Sequence, residues 1–286
     1  TGGKPTTSYA CRHIFETLNL KCGLIGSIEY LVGSNRYSAV RTTPDVITNH
    51  KLLREMRKNG GQGCVREVTS HALDQKRFEH IEYDIGVFTN LSHEHLDYHK
   101  TMEEYAKAKR LLFENVAKKE KVKKTALNNV AIVNADSPWT NELISGLKLH
   151  VLSFGIEKEA HVVASDITFT KEGSSFLVHT NDEKEQFFWP LVGRFNVYNA
   201  LAAIGVGLKL GLSLEELVPI VRNFHSAPGR LERIPNEKGL NVYVDYAHKV
   251  EALKNVLSTL RECTKGKLIT LFGCGGDRDP GKRPLM

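Results

Sequence analysis

"YDIGVFTNLSHEHLDYHKTMEEYAKAKRLLFENVAKK" runs from Tyr83 to Lys119, and its reading decides the fold. Residues 83–91 form an apolar run with little alternation, as expected of a parallel strand covered on both faces. A polar loop with three His and two carboxylates follows. Thr101 and Glu104 then stand at capping-box spacing and open a helix. Strand, polar loop and helix make the repeating unit of an α/β domain, whose ligands gather at the carboxyl ends of the strands.

The same grammar extends in both directions. "NNVAIVNAD" (128–136), "NVYVDYA" (241–247) and "KLITLFGCG" (267–275) read as further buried strands ending in polar or Gly-rich turns. "SLEELVPIVRNF" opens with a second capping box, Ser213 and Glu216. The segment 150–190 alternates, with β-branched and aromatic residues around polar turns, and predicts a small antiparallel hairpin sheet inserted in the α/β domain. Pro and Gly signals in "SAPGRLERIPNEKG" (226–239) predict a linker between two units. The chain opens where a P-loop's preceding strand is expected and stops after a Gly-rich turn, the pattern of a piece of a longer protein.

Composition narrows the function classes. The 286 residues are 41% apolar and 25% charged, the balance of a soluble globular chain with ample core. No apolar run reaches the ~18 residues of a membrane helix, and no targeting leader is visible. Five scattered Cys without a C-x-x-C point to a reducing cytoplasm rather than a disulfide framework. The net charge of +6 suits either a solvated surface or a polyanion such as a nucleotide. Basic patches interleaved with aromatics are missing, which argues against nucleic acid.

Four stretches carry chemistry. "TGGKPTTS" (1–8) has the glycines and Lys4 of a phosphate-binding loop, but Pro5 stands where a Mg²⁺-binding Ser or Thr belongs. Its plain alternative is an ordinary Gly-Gly-Lys turn. In "TNLSHEHLDYH", His93, His95 and His99 suit zinc, while imidazole plus carboxylate beside a phosphate suits Mg²⁺ or Mn²⁺. From the spacing alone a polar loop with surface His is the favoured reading. In "REVTSHALDQKR" (66–77), Glu67 is placed to aim a carboxylate at a metal. Thr69, Ser70 and His71 are adjacent and lack a nucleophile elbow, so a hydrolase reading is poor. "FGCGGDRDPGKR" offers Arg278, Lys282 and Arg283 on a Gly-rich turn. Lys109, on the capped helix, has a solvated helix face as its default, and Lys107 cannot share its side.

Taken in order, the loop at residues 1–8, "RTTPD", "EVTSHALDQKR", the run Val87–Phe113, "VNAD", "GRFNVYNALAA", "PGRLERI", "VDYAH" and "FGCGGDRDPGKRPLM" closely resemble the Mur ligase family over essentially the whole chain. The match is nearest to the branch that adds a diamino acid. The resemblance implies a P-loop-type central domain, with a mostly parallel sheet and a small antiparallel β subdomain, over 1–227. Residues 228–286 would begin a Rossmann-like C-terminal domain. It implies an ATP- and Mg²⁺-dependent ligase of peptidoglycan biosynthesis in the cytoplasm, monomeric by preference. Meso-diaminopimelate or L-lysine would be joined to UDP-N-acetylmuramoyl-L-alanyl-D-glutamate through an acyl phosphate.

The family's roles pass to matching positions. Gly3, Lys4 and Thr6 would meet the phosphates of ATP. Asn196 and Asn199 would lie near adenine, and Arg230, Asp245 and Tyr246 would make further nucleotide contacts. Glu67, His95 and a carbamylated Lys109 would hold Mg²⁺, with Lys4, His95 and Lys109 as the catalytic set. Thr42, Thr43, Thr69, Gln75 and Arg77 would contact the muramoyl peptide, and Arg278 and Lys282 the incoming amino acid and phosphates.

The chain departs from the family pattern in several places. Two loop residues are missing between Gly2 and Gly3, and Pro5 replaces a Thr. Glu94 stands for an Asp, Arg66 for a Met, and Lys249-Val250 for Thr-Pro. A shortened loop with fewer N–H donors predicts weakened ATP binding. Two alternatives follow: a non-catalytic scaffold on a degenerate ligase fold, and a ligase of the folylpolyglutamate synthetase kind. The resemblance implies that the choice of diamino acid is made by a motif beyond "GKRPLM".

Overall fold

The computed structural model describes residues 2–118, 127, 129–248, 250–275 and 281–286, without the side chain of Lys282. Arg278 and Lys249 therefore lie outside the described residues. In chain order the elements are α1 (Lys4–Thr17), β1 (Cys22–Ile25), β2 (Glu29–Val32), β3 (Asn35–Ser38), α2 (Val46–Lys58), β4 (Gly63–Arg66) and α3 (Ser70–Asp74). There follow β5 (Ile85–Phe88), α4 (Leu96–His99), α5 (Met102–Val116), β6 (Val130–Asn134), α6 (Thr140–Ile144) and β7 (His150–Gly155). The remainder is β8 (Val162–Phe169), β9 (Ser174–His179), β10 (Lys184–Trp189), α7 (Arg194–Lys209), α8 (Leu214–Arg222), β11 (Glu232–Ile234), β12 (Val242–Val244), α9 (Val250–Glu262) and α10 (Lys282–Leu285).

The unbroken apolar run at β6 is explained by two cores. Val130 and Ile132 face one with α7, where Trp189, Phe176, Phe154 and Val197 pack. Ala131 and Val133 face the other, with Phe88, Tyr105 and Phe113. A strand buried on both faces has no solvent side to read as alternation. It sits in a six-stranded sheet of order β10-β9-β8-β7-β6-β5. The pairs β5–β6, β6–β7 and β7–β8 are parallel. Of the segment 150–190, expected to be an antiparallel sheet throughout, β7 instead pairs parallel with β6 and β8, while the pairs β8–β9 and β9–β10 are antiparallel and continue the edge of the parallel set.

Helix α7 lies across this sheet and also packs on α1. Its glycines allow close approach: a Cβ on Gly205 would press on Leu152 and Ile132. A second sheet, β3-β2-β1-β4, flanks α1, with β1 and β4 parallel. Its terminal strand β4 and the terminal strand β5 of the larger sheet both line one cavity of about 350 Å³.

Three expectations change beyond α8. The linker segment contains β11, which pairs antiparallel with β12. β12 is accordingly half-exposed rather than buried among parallel neighbours. Residues 267–275 form no strand, and Ile269 and Leu271 are almost wholly exposed. Apolar character alone does not make a strand; a ladder partner must take up the backbone N–H and C=O groups.

Both sequence-predicted helix starts hold. The Thr101 hydroxyl accepts Glu104 N–H at 3.2 Å. Ser213 and Glu216 form the full reciprocal box. Ser213→Ala is expected to cost about 1 kcal/mol, read as a lower urea midpoint with an unchanged slope; an unchanged midpoint would show the box contributes nothing.

Candidate active site

The head of α1 starts from Gly3, whose φ of 78° is a left-handed conformation open to glycine. A Cβ there would collide with the Asn199 carboxamide. Thr7 N–H closes the first helical turn on Gly3 O at 2.9 Å. Pro5 lies buried in this turn, where the backbone N–H has no intrahelical partner, so the helix tolerates it. What Pro5 removes is one donor from the anion-binding end of a 14-residue helix.

Asparagines hold this head in place. Asn199 Oδ1 accepts from Thr7 Oγ1 at 3.3 Å, and its Nδ2 donates to Asn196 Oδ1 at 3.0 Å. Asn196 Nδ2 donates to Val192 O at 2.9 Å. Both side chains are buried, so these carboxamides tie α7 to the loop from beneath it. On the other side, Asn90 bonds the backbone of Gly2 in both directions, at 2.8 and 3.1 Å.

Glu67 follows β4 and is buried. Its Oε1 accepts Ser27 N–H at 2.7 Å and its Oε2 accepts Ser27 Oγ–H at 2.8 Å. A carboxylate has about four acceptor positions, so each oxygen keeps capacity for a cation. Lys109, half-buried on α5, donates to Val68 O at 2.9 Å, one residue from Glu67. Burial, and then the nearby positive charge of Lys4, pull its pKa down to about 7 against the opposing pull of Glu67. Lys4, Glu67, Lys109 and Asn90 line the same cavity. The solvated-face default therefore does not describe Lys109, whereas Lys107 is exposed as that default expects.

The candidate peptide-contact residues form one network. Thr43 Oγ1 donates to Glu67 O at 3.1 Å, and Thr69 Oγ1 reaches Thr43 Oγ1 at 3.4 Å. Arg77 donates to Thr43 O at 2.9 Å and to Gln75 Oε1 at 2.5 Å. Thr42 joins through Ser27 Oγ at 3.2 Å. Arg230, Asp245 and Tyr246 form a second group. The Arg230 guanidinium lies 5.2 Å from the Tyr246 ring centre, and Asp245 Oδ2 accepts Leu231 N–H at 2.8 Å.

His95 has a left-handed backbone and caps α4. Its ring meets His71 edge-on at 5.0 Å. His99 points away into the protein, bonded to Ser70 Oγ at 2.8 Å and stacked on Tyr105, while His93 is exposed. Among the described residues, no three His, Cys, Asp or Glu side chains gather into a metal cage, so the three-histidine zinc reading has no support. Magnesium needs no such cage: it takes one or two carboxylates and completes its shell with phosphate oxygens and water. The open acceptor positions on Glu67 fit that demand.

Several contributors carry little sequence signal. Ser27 follows β1 in an unremarkable turn. Asn90 sits at the carboxyl end of β5, where α/β geometry would have flagged it. Arg66 does more than fill space. Its guanidinium lies over Phe78 at 4.7 Å and bonds Asn49.

Lys109 also gives a pH test of stability. Its ordinary pKa is about 10.4, and in the fold it is depressed to about 7. Between these values the unfolded chain binds the extra proton, so stability rises with pH across that window. Lys109→Met removes the effect. Its gain in melting temperature should be largest below pH 7 and fade toward pH 10; a pH-independent difference would rule out a depressed amine.

The chain matches the Mur ligase middle domain over residues 1–207 and the Mur ligase glutamate ligase domain over residues 229–286. It is 40% identical, over its full length, to the UDP-N-acetylmuramoyl-L-alanyl-D-glutamate–2,6-diaminopimelate ligase of Geobacter metallireducens, of which it covers 55%. The ligase of that name from Bacillus cereus is 39% identical, with 58% covered. A solved structure of a ligase of that name superposes with a TM-score of 0.80 at 32% identity, covering the whole chain and 57% of that structure. The chain thus spans little more than half the length of these relatives.

Proposed function

The chain belongs to the Mur ligase family, and on that premise we propose that the full-length protein is an ATP-dependent carboxylate–amine ligase. It joins a diamino acid, 2,6-diaminopimelate in the named relatives, to UDP-N-acetylmuramoyl-L-alanyl-D-glutamate. In this reading residues 1–227 are the ATP-binding domain and 228–286 begin the domain that closes on it. The observation that carries the reading is the convergence of Lys4, Glu67 and Lys109 on one cavity at the head of α1.

The reaction moves the γ-phosphoryl group of ATP to the D-glutamyl carboxylate, forming an acyl phosphate. The amine of the diamino acid attacks its carbonyl carbon, the C–O bond to phosphate breaks, and inorganic phosphate leaves. Such chemistry asks the protein chiefly for positioning and charge stabilisation. Mg²⁺, when bound, neutralises charge on the transferring phosphate. Lys4 and the amino end of α1 present positive charge to the phosphates. Glu67 and His95 would be the residues that hold the cation, Glu67 from within the cavity and His95 from the loop after β5. Lys109, neutral in a large fraction of molecules near pH 7, is able to take up CO₂ and become a carbamate, a second carboxylate facing the site. The Thr43–Thr69–Arg77 network supplies hydroxyls and a cation for the muramoyl-peptide carboxylates. Arg230, Asp245 and Tyr246 would contact the nucleotide as the second domain closes.

The direct test is ATP consumption by the full-length protein, dependent on both the muramoyl dipeptide and the diamino acid, with the amide product identified by mass. ATP turnover without amide formation would reject the ligase reading. Lys109→Ala should abolish turnover, and a short-chain carboxylate should restore part of it. At equal dissolved CO₂, CO₂-stripped protein should regain activity faster at pH 8 than at pH 6, because only the neutral amine adds to CO₂, releasing a proton as the carbamate forms.

Pro5 sets a second expectation. Pro5→Thr adds a backbone donor and a hydroxyl at the phosphate-binding end of α1. A hydrogen bond to a charged group contributes about 1.5–3 kcal/mol, and ~1.4 kcal/mol is tenfold in affinity. The dissociation constant for Mg-ATP, by calorimetric titration, should therefore fall about tenfold or more. Equal affinity in both proteins would show that Pro5 does not limit binding.

A further inference from the structure

We infer that Asn90 is a positioning residue, clasping the phosphate loop and setting its distance from the loop that carries His95. The inference rests on the ATP-binding reading above and goes beyond the residues assigned there. Gly2 N–H donates to Asn90 Oδ1 at 2.8 Å, and Asn90 Nδ2 donates to Gly2 O at 3.1 Å. Thr89 Oγ1 adds a second donor to Gly2 O at 3.0 Å. The Thr89 carbonyl is in turn held by Asn134 Nδ2 at 2.8 Å, from the end of β6. One residue of the loop thus has both its backbone polar groups bonded to the segment just past β5, and that segment is braced in turn by β6, the parallel neighbour of β5.

The pinned residue lies immediately before the left-handed turn at Gly3, and Lys4 follows. Asn90 itself opens the loop that reaches His95 five residues later. It also lines the cavity with Lys4, Glu67 and Lys109. The side chain therefore links the phosphate-binding backbone to the cation-binding loop. A carboxamide is required because it presents a donor and an acceptor together. An Asp of the same shape would keep the bond from Gly2 N–H, lose the bond to Gly2 O, and place a negative charge beside the phosphate path.

The test compares Asn90→Asp and Asn90→Ala with the unaltered full-length protein. Amide hydrogen exchange over residues 2–8 should quicken in both variants while exchange in β6 and α7 stays unchanged. The KM for Mg-ATP should rise tenfold or more, with the KM for the amine substrate unchanged and the effect larger for Asp. Unchanged exchange over residues 2–8 would overturn the clasp. A parallel rise in every KM together with a lower melting temperature would also overturn it, since that is general loosening. Should the unaltered protein fail to bind Mg-ATP, the proposed function falls, and the exchange comparison alone decides whether Asn90 holds the loop.

Discussion

Everything in the site is referred to the seat of the amino end of α1. That end cannot shift toward α7, because Gly3 already lies against the Asn199 carboxamide with no space for a methyl group. It cannot lift away without breaking the bonds between Gly2 and Asn90. Asn199 is held by Asn196, and Asn196 by the Val192 carbonyl. Leaving a buried polar group unpaired costs about 1–3 kcal/mol, so the chain of carboxamides stands or fails as a unit. The amino end of the helix is therefore fixed before any ligand arrives, and a ligand binding there need not spend free energy on ordering it.

The electrostatics follow from that placement. Lys4 enters the cavity from the head of α1, Lys109 from α5, and Glu67 from the end of β4. The two amines line the cavity together with one buried carboxylate, whose oxygens already accept from Ser27. Removing the Lys109 ammonium from water outweighs the attraction of Glu67, and Lys4 adds repulsion. A lysine at such a place is chemically available near neutral pH, where an ordinary surface lysine remains almost wholly protonated. The ring contacts around His71, His95, His99 and Tyr105 serve a related end. They hold the strained backbone at His95 by packing it against α3 and α5.

The second unit shows the limit of pattern reading. Residues 241–247 and 267–275 have nearly the same apolar signature as β5 and β6. β5 and β6 lie in a six-stranded sheet sandwiched by helices. β12 finds only the short β11, and residues 267–275 pair with no strand among the described residues. Hydrophobic patterning gives a segment the capacity to be a strand; the ladder that realises it is a property of the neighbours.

What was legible in the sequence is what depends on neighbours along the chain. Caps at Thr101 and Ser213 operate over three residues, and strand burial shows in a window of a few residues. The order of family motifs carried the fold and the candidate residues, Lys4, Glu67 and Lys109 among them. Only the tertiary structure decided what those residues face. Asn90 and Gly2 are 88 positions apart, and Thr7 and Asn199 are 192. Nothing in the local pattern of either partner specifies the other. The depressed pKa of Lys109 is likewise invisible in its helix, because it arises from exclusion of water and from charges on two other elements. Hydrogen bonding and hydrophobic periodicity are short-ranged along the chain, so the sequence alone determined the elements. Desolvation and long-range pairing exist only once those elements pack, so the site's chemistry belongs to the fold.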